Sequence, residues 1–315
     1  MRWWISIAFA MIPPKLCAAG PVEFGVAEFN AAVAARNLKV TPKIMAELNL
    51  EPPETFRIEP YIGGGAHITG GDLRGLMYGY LEAADQIRAA GKLSRVHGVP
   101  AISLRGVRVT VGQAILSPVD SEFWRSYFAM LARDRFNRVQ IVVEGEPDAG
   151  GLRALRIISQ TASEYGIDAA VGLRSVTDTA LDQLLMECPA IHAVVLRSAP
   201  SAAQVGALLQ VLRDSGRRVI LELPFSENAP DSLTAAVGLG MPLRFFSQYG
   251  AAPSARPSDF YLEFEASQLG SDPESVAAML ISLGAGYEIA SPAGEDGRPD
   301  ASMIGIWGRL GYSEK

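Results

Sequence analysis

Apolar and polar positions alternate along this chain in two regimes. From Phe24 to Leu38, the residues Phe24, Ala27, Ala31, Ala34 and Ala35 recur at helical spacing, and Asn37 can end the run. Thr55–Ile62 then alternates as a strand does, and His67–Thr69, after the glycines at 63 to 65, predicts a second short strand. Leu76–Ala90 reads as a helix closed by Gly91. This order predicts a compact α/β layer over residues 20–100.

From Ile102 onward the pattern becomes short apolar strands alternating with amphipathic helices, the mark of parallel βα units. Strands are predicted at Leu104–Val111, Arg138–Val143, Ile167–Gly172, Ala190–Leu196, Arg218–Leu223 and Leu243–Ser247. Helices fall between them at Ser121–Arg133, Leu152–Tyr165, Asp178–Glu187, Ala202–Ser215 and Asp231–Leu239. Phe260–Phe264 with a helix over Asp272–Leu283 makes a seventh unit, and Tyr287-Glu288-Ile289 starts an eighth. Seven or eight units suit a (β/α)₈ TIM-type barrel over 101–315, complete or short of its last unit. The rival, an open doubly wound sheet, would carry a glycine-rich βα turn at a dinucleotide crevice, and none is present.

Composition narrows the classes. With 315 residues, 49% hydrophobic and 20% charged, the chain can bury a large core and does not read as disordered. Met1-Arg2 followed by the apolar run Trp3–Ile12 predicts a secretory signal over residues 1–19, too short to span a bilayer, with cleavage near Ala19. Leu16 is bulky where a lipoprotein signal has a small residue, which argues against a lipid-anchored Cys17. The 28 basic and 34 acidic residues give −6, and loss of Arg2 and Lys15 with the signal makes it −8. Such a chain is a poor nucleic-acid binder. Cys188 would then be the sole cysteine, so no internal disulfide is expected.

The run Gly63–Gly71 is not a phosphate loop, because no Gly-Lys-Ser/Thr follows it and its spacing does not fit Gly-x-Gly-x-x-Gly; a tight turn explains it. There is no His-Glu-x-x-His pair, paired-cysteine motif or Gly-x-Ser-x-Gly elbow, so no metal or other cofactor is expected. His192, within an apolar strand, reads as a hydrogen-bonded core histidine.

Barrel chemistry gathers at the carboxyl ends of the strands. There Val143 leads into Glu144, Glu146 and Asp148, which could act as acid and base or hold sugar hydroxyls, although a solvated acidic loop accounts for them equally well. The other ends offer Arg197, Glu222 and the pair Gln248-Tyr249, while Glu263 and Glu265 share one strand face by their period-two spacing. Glycoside hydrolysis uses two opposed carboxyl groups about 5 to 10 Å apart, and no convincing pair emerges.

Three segments carry a resemblance: Glu54–Ile58, then Gly71-Asp72-Leu73-Arg74-Gly75-Leu76-Met77-Tyr78-Gly79, then Pro100–Val107. Together they resemble the small domain that precedes the catalytic barrel in β-hexosaminidases and α-glucuronidases. Phe123-Trp124 and Phe136-Asn137-Arg138 are similar to the first barrel helix and the entry to the second strand, and Trp307–Tyr312 to a Gly-Arg-Leu-Gly-Tyr segment after the α-glucuronidase barrel. The resemblance implies a hexosaminidase domain-2-like α/β sandwich, a TIM barrel, and hydrolysis or binding of extracellular glycans. If the chain is such an enzyme, the strand-end residues supply its candidates: Glu144, Glu146 and Asp148 for acid, base or sugar contacts, Arg197 to pair a uronic-acid carboxylate, and Glu222, Gln248 and Tyr249 to line the same mouth. Where hexosaminidases place an Asp-Glu pair, this chain has Arg197-Ser198-Ala199-Pro200, so that pair does not carry over. A non-catalytic sugar-binding or accessory protein on the same scaffold is the alternative.

Overall fold

The computed structural model describes residues 20–38, 40–112, 119–226, 229–249, 259–268, 272–292, 294, 298–300, 302 and 304–314. The predicted signal over 1–19, with Cys17, and the Pro253–Pro257 loop lie outside them. Contacts divide the chain into two compact units, one of residues 1–101 with 164–166 and 312–315, the other of 102–163 with 167–311.

The first unit holds α1 (Pro21–Ala35), β1 (Ile44–Leu48), β2 (Phe56–Pro60), β3 (Ala66–Gly70), α2 (Leu73–Ala90), β4 (Val96–Pro100) and β13 (Tyr312–Glu314). Its sheet runs β1-β3-β2-β4-β13, with β1 parallel to β3 and the other pairings antiparallel. The motif from Gly71 to Gly79 explains how α2 is seated. Asp72 caps it, accepting from Gly75 N at 2.7 Å and from Glu54 N at 3.0 Å. A Cβ at Gly75 would lie 2.2 Å from the Thr55 carbonyl oxygen, so only glycine permits this approach. Tyr312 stands in the last strand of this sheet: its ring stacks on Phe56 at 6.0 Å and its hydroxyl donates to the Glu54 carbonyl.

The second unit is a closed barrel of eight parallel strands: β5 (Arg105–Val111), β6 (Arg138–Val143), β7 (Asp168–Leu173), β8 (Ile191–Leu196), β9 (Ile220–Pro224), β10 (Leu243–Gln248), β11 (Phe260–Phe264) and β12 (Gly286–Ala290). Between them lie α3 (Ser121–Arg133), α4 (Ala149–Glu164), α5 (Asp178–Glu187), α6 (Ala202–Asp214), α7 (Ala229–Leu239) and α8 (Pro273–Leu283), with α9 (Gly305–Leu310) after β12. The predicted eighth strand is present and β12 pairs with β5, so the barrel is complete. Outward positions such as Val107, Val109, Val139, Ile141, Leu221, Leu223, Phe245 and Ile289 are buried. Each such side chain contributes about 1.5–3 kcal/mol over leaving it in water.

The Arg-Gly step that opens β5 is structural. Arg105, fully buried, donates from Nε to Arg135 O at 2.8 Å and from Nη1 to Ile102 O at 2.6 Å. Asn137 ties the two strand entries together, accepting from Arg105 N at 2.9 Å and donating to Ser103 O at 2.6 Å. His192 departs from its expected burial. The β7–β8 register jumps from Ala169↔Ile191 to Ala170↔Ala193, and the irregularity leaves the His192 side chain 52% exposed near Asp168. Cys188 is free and buried, and burial pushes its thiol up to about 12, so it packs as a small apolar group. No described helix is long and apolar enough to cross a membrane.

Candidate functional site at the barrel mouth

Strand pairing fixes which side chains share the barrel interior. Gly106 and Arg108 of β5 lie opposite Arg138 and Gln140 of β6, Glu222 of β9 opposite Arg244 of β10, Gln248 opposite Glu263 of β11, and Glu263 opposite Glu288 of β12. Period-two alternation therefore puts these charged and amide side chains on the inner face of otherwise apolar strands. Inward-facing apolar side chains gather in one cluster of Leu104, Ala170, Ala193, Val195, Phe246 and Tyr261.

Two ion-pair groups fill the rest. In the deeper one Glu222 accepts from Arg138 Nη1 at 2.6 Å and Nη2 at 2.5 Å, from Arg244 Nη1 at 2.9 Å and from the Tyr261 hydroxyl at 3.0 Å. Arg138 Nε also donates to Glu288 Oε1 at 2.5 Å. Burial pushes the Glu222 carboxyl up, but Arg138 and Arg244 outweigh it and hold it below the usual range. Burial likewise acts on Glu288; Arg138 opposes it through one contact, Glu263 and Glu222 add to it, and the carboxyl is pushed up to about 7.

The outer group centres on Glu263, which is fully buried. Arg197, just past β8, grips both of its oxygens; Gln248 Nε2 donates to Oε2 at 2.6 Å and Arg108 Nη1 lies 2.7 Å from it. Arg108 also pairs with Glu265, whose side chain is 54% exposed. The Arg197 guanidinium lies over the Phe246 ring, 5.0 Å from its centroid. Tyr249 stands half-exposed beyond β10, stacked on Phe264 at 4.5 Å.

The residues singled out from sequence are thus distributed in three places. Arg197 and Gln248 converge on Glu263, whereas the Tyr249 ring stacks on Phe264. Glu222 lies deeper, enclosed by Arg138, Arg244 and Tyr261 rather than at the mouth. Glu144, Glu146 and Asp148 are exposed in the loop between β6 and α4, where Asp148 accepts from Gly151 N at 2.8 Å at the start of the helix. Arg108, Arg138, Arg244, Glu263 and Glu288 complete the interior, and the signal that points to them is a charge at an inward position of a largely apolar strand. Among the described residues no cluster of three or more His, Cys, Asp or Glu side chains could hold a metal ion.

No family model matches this chain, and no curated protein matches it. Among solved structures it is similar to a GH138 enzyme targeting pectin rhamnogalacturonan II, at 16% identity and TM-score 0.71, over 93% of this chain and 49% of that one. It is also similar to a GH115 4-O-methyl-α-glucuronidase with specificity for decorated arabinogalactans, at 13% identity and TM-score 0.60, over 94% of this chain and 55% of that one. A third likeness is to a β-N-acetylhexosaminidase from Bacteroides fragilis, at 12% identity and TM-score 0.52, over 85% and 78% of the two chains. The chain spans about half the length of the first two structures. At these identities the likeness is one of fold, and over nearly its whole described length the chain has the fold of these glycoside hydrolases.

Proposed function

We propose that this chain is a carbohydrate-binding protein on a glycoside-hydrolase scaffold, recognising a carboxylated sugar at the carboxyl-terminal mouth of its barrel. The observation that carries this reading is the enclosure of Glu263. Both oxygens are engaged by guanidinium groups and the Gln248 amide, so the buried acid at the mouth is held in pairing within the barrel rather than presented to a substrate. What the mouth presents instead is the partly exposed Arg197, the Gln248 amide and the half-exposed Tyr249 ring. A guanidinium fork suits a carboxylate, and an exposed aromatic face suits a sugar ring.

A second reading, hydrolysis, draws on the exposed carboxyls Glu144 and Glu146 after β6 and Glu265 after β11. Calorimetric titration with galacturonic- and glucuronic-acid oligosaccharides and their neutral counterparts, run beside an aryl-glycoside assay, separates the two. Binding of the acidic sugars alone, weakened at least tenfold in Arg197→Met, supports recognition. Turnover abolished in a Glu144→Gln/Glu146→Gln variant moves the protein to the hydrolases, and silence in both assays rejects both readings.

The reading includes a secreted location, on the strength of the apolar run Trp3–Ile12 followed by Cys17-Ala18-Ala19. Amino-terminal sequencing of the exported protein tests it: a mature start after Ala19 supports secretion, and an intact Met1 in the cytosol rejects it.

A further inference from the structure

Arg138 serves two buried carboxylates unequally. Glu222 takes both of its terminal nitrogens and has Arg244 and Tyr261 besides, whereas Glu288 receives a single bond from Nε. The second Glu288 oxygen, Oε2, is buried and has no hydrogen-bond partner. An ionised carboxylate with one bare oxygen in a buried position is costly, and a proton on that oxygen removes the charge.

Several charges bear on Glu288. Arg138 faces it from β6, Glu222 from β9, Glu263 and Tyr261 from β11, and Arg197 from β8. β5 sets only Gly106 against it, whose added Cβ would lie 2.6 Å from Glu288 Cγ, with Arg108 one inward position further on. Two of these groups, Glu263 and Arg197, belong to the mouth. Glu263 is the direct register partner of Glu288 on the neighbouring strand, and Arg197 is the partly exposed cation that grips it.

We propose that Glu288 is an internal proton-binding site whose occupancy follows the charge at the barrel mouth. Negative charge added above it draws a proton onto Oε2, and positive charge releases the proton. By linkage, an anionic ligand seated on Arg197 takes up a proton as it binds, and binds more tightly as pH falls through the Glu288 midpoint. The proton site itself does not depend on the ligand being a sugar.

The experiment is a carboxyl ¹³C NMR titration of glutamate-labelled full-length protein between about pH 5 and 9. One buried glutamate is expected to titrate near neutrality in the wild type, and its signal to vanish in Glu288→Gln. Glu263→Gln, which removes a neighbouring negative charge, should lower the midpoint by about one pH unit, and Arg197→Gln should raise it by a similar amount. The two variants push in opposite directions, and Arg197 is at the mouth's edge, so one reads out if the other does not fold. A wild-type protein with no glutamate titrating in that range, or a midpoint unmoved in the folded variants, overturns the proposal.

Discussion

Arg138 and Glu222 meet through two parallel hydrogen bonds, 2.6 and 2.5 Å long, from strands on different sides of the barrel, and both side chains are buried. The fork geometry suits a guanidinium and would not be reproduced by lysine. Removing the cation leaves Glu222 with only Arg244 and Tyr261, and Glu288 with no partner on either oxygen. Arg138→Met is therefore expected to destabilise the protein by about 3–5 kcal/mol, the cost of breaking a buried pair from one side. Urea denaturation followed by circular dichroism measures it, and a loss below about 1 kcal/mol would show that the interior network is dispensable.

Stability should also depend on pH through Glu288. Its folded carboxyl sits near 7 against 4.5 for the free group, so between those values the folded state binds more protons than the unfolded one. Stability contributed by the retained proton is fully present below about 4.5 and is lost as pH rises through 7. The span corresponds to roughly 3 kcal/mol. Glu222, held below its usual range, acts oppositely and costs stability as pH falls through its own folded value. Melting temperatures across pH 5 to 8 should decline in the wild type from this cause and flatten in Glu288→Gln; equal slopes in both proteins count against the assignment.

The sequence motif around α2 makes a different prediction. Asp72 accepts two backbone N–H groups, those of Gly75 and Glu54, and Asp72→Ala leaves both without an acceptor. A loss of about 1–3 kcal/mol follows, an ordinary cap deletion plus a second orphaned donor. Gly75→Ala should cost more, since its methyl would meet the Thr55 carbonyl oxygen at 2.2 Å and the helix must move. If differential scanning calorimetry of the two variants gave the reverse order, the close approach would not be what conserves space there.

These cases mark where the sequence was legible. All eight barrel strands announce themselves because each is a short apolar run bounded by a helix with its own period. β1 escapes notice because it is an edge strand with little burial on either face, and β13 because it is three residues long and pairs with β4, which lies far back in the chain. The mouth was half legible: Arg197, Gln248 and Tyr249 stand at strand ends, where a census finds them. Glu222, Glu263 and Glu288 look alike in sequence, a single acid in an apolar strand, yet their partners come from strands whose closing register no local pattern encodes.

Gln140 offers the sharpest test of the interior. It is an inward residue of β6, fully buried, and neither its amide nitrogen nor its amide oxygen has a hydrogen-bond partner. The amide sits against Gly172 of β7, where an added Cβ would lie 2.8 Å from its nitrogen, so the glycine makes room for it. A buried amide without partners costs about 1–3 kcal/mol, and an apolar side chain of similar length at that position removes the cost. Gln140→Met is accordingly expected to stabilise the protein by about 1 kcal/mol, read as a higher urea midpoint at unchanged slope. A destabilisation of similar size would instead mean that the amide is satisfied in solution by an ordered water inside the barrel, which a high-resolution crystal structure would place beside Gly172.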